Sequence, residues 1–171
     1  MNTFTNESLD VTQLPKFEQV EFNPLHKDYW AVCLIGIAFG LFIMMGTIAA
    51  ILVYVEELFP YRIYFIAGAL AMMVLILLFS RIGFRKKGFA FRNHDVLFRH
   101  GVIATDTIVI PYNRIQHVAL HEGLVSRYYG LAEVQIFTAG GKESDIMIPG
   151  IKKEQAENIK QLLMGKIQKQ L

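Results

Sequence analysis

Cysteine is nearly absent from this chain. Cys33 stands alone among 171 residues, so neither an intramolecular disulfide nor a multi-cysteine metal site can form. Charge is missing from two long stretches. Trp30 to Val55 runs 26 residues, and Ile63 to Ser80 a further 18, without an Asp, Glu, Lys, Arg or His. Ion relays and transport paths need such groups inside a membrane, so their absence argues against a transporter. Catalytic signatures are missing too. There is no HExxH, P-loop, GxSxG or dinucleotide fingerprint. Gly140-Gly141-Lys142 lacks the rest of a phosphate-binding loop, and Glu143 and Asp145 have no evident acid–base partner. These absences point away from an enzyme and call for no cofactor.

What the chain does have is apolar length. A bilayer's hydrocarbon core is about 30 Å thick, which a helix crosses in roughly 20 residues. Both uncharged runs are near or above that length. The first holds thirteen Leu, Ile, Phe or Val residues. At about −0.3 to −0.6 kcal/mol each near the bilayer centre, they favour insertion by at most about 4–8 kcal/mol. The expected organisation is an N-terminal tail over 1–29, membrane helices over 30–55 and 63–80, a short external turn over 56–62, and a domain over 81–171. The tail, with Pro15 and Pro24, shows no sustained period and is expected to be irregular. It lacks a basic n-region, so no cleaved signal is expected.

Net charge is +2, but it is unevenly spread. Residues 1–29 carry two lysines and five acids, whereas residues 81–171 carry fourteen basic and eight acidic side chains. Arg81, Arg85, Lys86 and Lys87 follow the second run closely, and basic residues at span ends favour the cytoplasmic side. The expectation is a multi-pass protein of a bacterial inner membrane, with both termini and the basic domain in the cytoplasm. Asn6-Glu7-Ser8, formally a glycosylation acceptor, would there be silent. Gly36 and Gly40 form a GxxxG, which could pack the two helices together or drive a homo-oligomer.

From Phe84 the pattern changes to short β-like runs. Candidate strands are Gly88 to Arg92, Val96 to His100, Thr107 to Ile110, Arg114 to Glu122 with a bulge, Ala132 to Thr138, and Glu143 to Ile148. Asn93-His94-Asp95 and Ala139 to Lys142 are the turns between their neighbours. Pro149-Gly150 is expected to break the chain. A helical period then begins at Ile151, with Ala156, Ile159, Leu163 and Ile167 on one face. The fold class is therefore a two-helix transmembrane hairpin, then a mainly β barrel or sandwich with a C-terminal capping α-helix. Residues 81–171 hold what looks like a complete set of strands and are expected to fold alone.

The stretches IPYNRIQHV, Ile110 to Val118, and GLVSRYYGLAEVQIFTAGG, Gly123 to Gly141, carry a resemblance. Together they resemble the second family of bacterial pleckstrin-homology-like (PH-like) domains, found in YdbS-like membrane proteins. The match covers roughly Gly88 to Leu163, and two preceding spans are its usual companion. The resemblance implies a seven-stranded, two-sheet PH-like barrel capped by a helix. It also implies a larger membrane protein with several such domains as partner. One departure is His121-Glu122-Gly123, where family members often have Gln-Gly or Gln-Ser.

The motif residues also have physical readings. Pro111 cannot donate a ladder hydrogen bond and should end a strand or lie at an edge. Gly130 suits a left-handed stop after Tyr128-Tyr129. Gly140 and Gly141 are expected to supply positive φ in a hairpin. Arg114 and Arg127 either pair with Glu122 or Glu133 on the barrel, the plainer reading, or anchor a ligand. Together with Tyr128 and Tyr129 they form the candidate partner-binding set, Arg and Tyr being favoured interface anchors. The alternative is an anionic-lipid or small-anion sensor in which Arg114 and Arg127 read a headgroup. His117 and His121 lie about 13 Å apart if on a strand, too far for one metal. Aromatic and basic residues interleave over Phe84 to Arg92, but beside a membrane they favour lipid headgroups over nucleic acid. Phosphoinositide readers place a basic cluster between their first two strands. Here that loop is Asn93-His94-Asp95, with no Lys or Arg.

Overall fold

A computed structural model describes residues 20–141 and 144–168. Asn6, Pro15, Lys142, Glu143 and Lys169 fall outside them. A two-residue strand β1 (Asn23–Pro24) precedes helix α1 (Tyr29–Tyr54), and a 3-10 turn (Glu56–Tyr61) leads into α2 (Arg62–Lys86). Then come β2 (Gly88–Phe91), β3 (Asp95–His100), β4 (Asp106–Pro111) and β5 (Ile115–His121). A short helix α3 (Leu124–Tyr128), β6 (Leu131–Thr138), β7 (Ile146–Lys152) and α4 (Lys153–Gln168) complete the chain.

The 26 and 25 residues of α1 and α2 give about 38 Å of helix each at about 1.5 Å per residue, more than a bilayer core needs. They are apolar all round. α1 buries no side chain and α2 buries only Ala69 and Gly83, so Phe39, Phe42, Leu70 and Leu75 face outward. Helices of this composition are stable where the surroundings are lipid. α2 outlasts the uncharged run and ends at Lys86, six residues beyond Ser80. Arg85 and Lys86 in its last turn suit the negative end of the helix dipole. Gly36 and Gly40 have nothing within 4 Å of where a Cβ would lie, so the GxxxG does not pack α1 against α2.

The domain consists of two antiparallel sheets, ordered β1-β2-β3-β4 and β5-β6-β7, with α4 across the second. Alternation sets the core. Val134 and Ile136 of β6 are fully buried and meet Ile146 and Ile148 of β7, with Val96 and Phe98 of β3 in the same cluster. Ala156, Ile159 and Leu163 of α4 close it, and Ile167 packs at its margin. Tyr112 is buried to 2% exposure, and its hydroxyl donates to the Arg92 carbonyl at 2.6 Å. This is the seven-stranded, helix-capped PH-like arrangement.

Three expectations need correction. The first concerns the tail, whose residues 20–28 join the domain. β1 pairs with β2 (Asn23↔Phe89, Pro24↔Gly88), Leu25 enters the core at 6% exposure, and the His26 amide donates to the Gly150 carbonyl at 2.8 Å. The set of strands over 81–171 is therefore incomplete. Next, Pro149-Gly150 does not break the chain, because β7 runs through both residues. β7 is an edge strand, and its register with β6 shifts between Ala132 and Val134, opposite the pair. A bulge on an edge tolerates a missing donor and a left-handed glycine (φ 66°). Last, Gly141 has positive φ (79°) but Gly140 does not. The expected bulge in β5 does occur, between Ile115 and His117, and β4 ends at Pro111 on the other sheet's edge.

Candidate functional site

α3 is held by its two ends. Gly123 caps it in extended geometry, and Gly130 (φ 65°) turns the chain into β6. The Gly130 carbonyl accepts from the Lys153 amide at 3.1 Å, which sets the Lys153 ammonium 2.9 Å from Glu122. The hydrogen bond that the ammonium donates to the Glu122 carboxylate raises the Lys153 pKa above its ordinary value, while the nearby positive charge of Arg127 works against the shift. The helix lies against α1. Leu124 and Tyr128, one turn apart, are 86% and 87% exposed, and Arg127 is exposed beside them. Tyr129 is half-buried, its ring edge-on to Tyr128 at 5.5 Å. Exposed apolar and aromatic side chains next to an arginine have the composition of an interface centre.

The structure brings Arg127, Tyr128 and Tyr129 together, and it leaves Arg114 apart from them. Arg114 precedes β5 and α3 follows it, so the length of a seven-residue strand, roughly 20 Å at about 3.3 Å per residue, separates them. One headgroup cannot engage both arginines. Arg114 instead lines a cleft of about 290 Å³ with Thr138, Gly140 and Ser144. Nor does either arginine pair as expected. Glu122 is taken by Lys153, and Glu133 accepts from Gln135 Nε2 at 2.7 Å. Among the described residues no carboxylate lies within ion-pair distance of Arg114 or Arg127. Leu124 was not singled out in the sequence, where nothing local distinguishes a leucine that faces outward from one that packs inward.

The basic residues at the end of α2 divide into distinct roles. The Arg81 guanidinium lies over Trp30 (4.9 Å) and Phe84 (5.7 Å), and Lys86 Nζ donates to the Val102 carbonyl at 2.6 Å. Arg85 is exposed, and Lys87 is half-buried with no carboxylate partner among the described residues. Arg92 forks onto Asp95 in the β2–β3 turn, which raises its pKa and leaves that loop no free arginine. His117 stacks on Phe137 at 4.2 Å. Among the described residues no group of three or more His, Cys, Asp or Glu could hold a metal ion.

A PH-like domain with two lipid-compatible helices set between its first two strands, neighbours in one sheet, defines a class of membrane-anchored PH-like proteins. The chain belongs to the family described as Bacterial PH domain, which it matches over residues 10–167. It is similar to two Bacillus subtilis (strain 168) proteins. UPF0699 transmembrane protein YdbT is 35% identical over 103 residues, 58% of this chain and 21% of YdbT. UPF0699 transmembrane protein YdbS is 26% identical over 104 residues, 59% of this chain and 64% of YdbS. The chain thus spans about a fifth of one relative and under two thirds of the other. No solved structure matches it.

Proposed function

We propose that this protein is a non-enzymatic, membrane-anchored interaction module. Its helices cross a bacterial inner membrane as a hairpin, with both ends and the PH-like domain on the cytoplasmic side. The face of α3 binds another membrane protein, a larger one carrying several such domains. Support for the hairpin comes from β1 pairing with β2. The segments flanking α1 and α2 pair in one sheet, which is consistent with both lying on one side of the bilayer. The basic turn at Arg81 to Lys87 favours the cytoplasm for that side.

The observation that carries partner binding is the outward display of Leu124, Arg127 and Tyr128 beside the anchor. Truncating a buried interface anchor typically costs about 2 kcal/mol or more, roughly thirtyfold in affinity. Arg127→Ala with Tyr128→Ala should abolish recovery of a membrane-protein partner from solubilised membranes, while expression and liposome binding persist. Loss of liposome binding with the partner retained would make lipid attachment the function of α3. A reporter fused after Leu171 should be active as a cytoplasmic fusion, and periplasmic phosphatase activity would refute the orientation.

A further inference from the structure

Between the domain-side ends of α1 and α2 and the domain itself lies a cleft of about 810 Å³. Its charged side chains lie on the domain side alone. Gly36 and Ile37 of α1 and Phe79 of α2 line the end toward the helices, while Lys87, His100 and Glu133 line the end toward the domain. Gly36 contributes open space, since nothing lies within 4 Å of where its Cβ would be. Lys87 and Glu133 bring opposite charges. Both line the cleft on the domain side, with Tyr29 and Cys33 of α1 also in its lining.

Such a cleft suits an amphiphile. Its apolar end opens along the helices, where the bilayer supplies acyl chains. On the domain side Lys87 is half-buried and has no carboxylate partner among the described residues, so its positive charge is open to an anionic group. A phosphate beside Lys87 would satisfy that charge with charge-assisted hydrogen bonds. Glu133 repels a purely anionic headgroup and favours one that also bears an amine. The volume is within the range of about 300–1,000 Å³ usual for small-molecule sites, adequate for a headgroup and the start of its chains.

On the basis of the hairpin seating proposed above, we infer that this cleft holds one phospholipid molecule with an amine-bearing headgroup. Its phosphate lies at Lys87, its amine at Glu133, and its chains lie against Gly36 and Phe79. The site is separate from the α3 face and from Arg114, and it couples the anchor to the domain through lipid.

Native mass spectrometry of the full chain in detergent tests this, using phosphatidylethanolamine and phosphatidylglycerol of matched chains. Wild type should retain one phosphatidylethanolamine in preference. Lys87→Ala should weaken retention of both lipids about tenfold, the scale of one lost charge-assisted hydrogen bond. Glu133→Gln should erase the preference, and Gly36→Leu should block retention by filling the apolar end. Gly46→Leu, also on α1 in open space but outside the cleft, is the control and should change nothing. Equal retention by wild type, Lys87→Ala and Gly36→Leu would overturn the site. So would a matching loss in Gly46→Leu, which would mark the lipid as unspecific coating of the helices. A periplasmic Leu171 reporter with these lipid results intact would refute the orientation while leaving the cleft standing.

Discussion

Replacing Leu25 by alanine tests whether a residue from before the membrane helices belongs to the core after them. Leu25 is 6% exposed and packs in one cluster with Phe89 and Ile151. Its neighbours are fixed in place: Asn23 and Pro24 pair with β2, and His26 donates to Gly150. The surroundings can therefore collapse only partly onto the space left behind. A buried Leu→Ala change under such conditions costs about 2–5 kcal/mol, against a typical domain stability of about 5–15 kcal/mol. Hydrogen exchange on the full chain in nanodiscs reads this directly. Amides of β6 and β7 that open by global unfolding should exchange about thirtyfold faster or more, since each 1.4 kcal/mol is about a factor of ten. Val134→Ala, at the centre of the same core, is the positive control. If Val134→Ala accelerates exchange and Leu25→Ala stays within about threefold of wild type, the tail segment is not part of the domain. The same reasoning makes a fragment of residues 81–171 less stable than one to which the tail segment is restored.

Gly150→Ala should cost clearly more than Gly130→Ala in chemical denaturation. Both need left-handed backbone, worth about 1–2 kcal/mol for a residue with a Cβ, but at Gly150 the Cβ also runs into the Tyr29 ring, whereas at Gly130 it meets nothing within 4 Å. Equal costs would show that Tyr29 does not press on β7. Tyr112→Phe should lose about 0.5–1.5 kcal/mol near neutral pH, the net value of the hydrogen bond to the Arg92 carbonyl. Burial, then the Asp95 carboxylate, raises the Tyr112 pKa above 10.0. Its contribution is therefore full below about pH 10 and fades as pH rises through the higher folded value. Stability measured from pH 8 to 11 should fall less steeply in Tyr112→Phe, and parallel curves would refute this.

The long helices were legible because the absence of charge over whole spans admits few alternatives. β6 was legible because Ala132, Val134 and Ile136 alternate with polar residues. β1 was invisible for a physical reason: Asn23 and Pro24 have poor strand propensity, and only the edge of β2, supplied far along the chain, makes them a strand. Pro149 and Gly150 looked like a break because the bulge that accommodates them depends on β6. Gly130 could be read locally, since the left-handed turn after α3 needs no distant partner. The pairing of Glu122 could not, since Lys153 reaches it only after β7 has closed the sheet. The junction cleft draws on α1, α2 and two sheets at once, and no local pattern announces it.

The two apolar helices are inserted between two neighbouring strands of a single sheet, which, with the hairpin seating proposed above, has a consequence for synthesis. At about 5–20 residues per second, β1 leaves the ribosome seconds before β2, and both spans are made in the interval. If only one span enters the bilayer, β1 and β2 are left on opposite sides and Leu25 cannot reach the core. In that seating, the domain is completed only when both helices are threaded together. A misthreaded chain presents an open apolar core, the feature by which quality-control proteases could remove it.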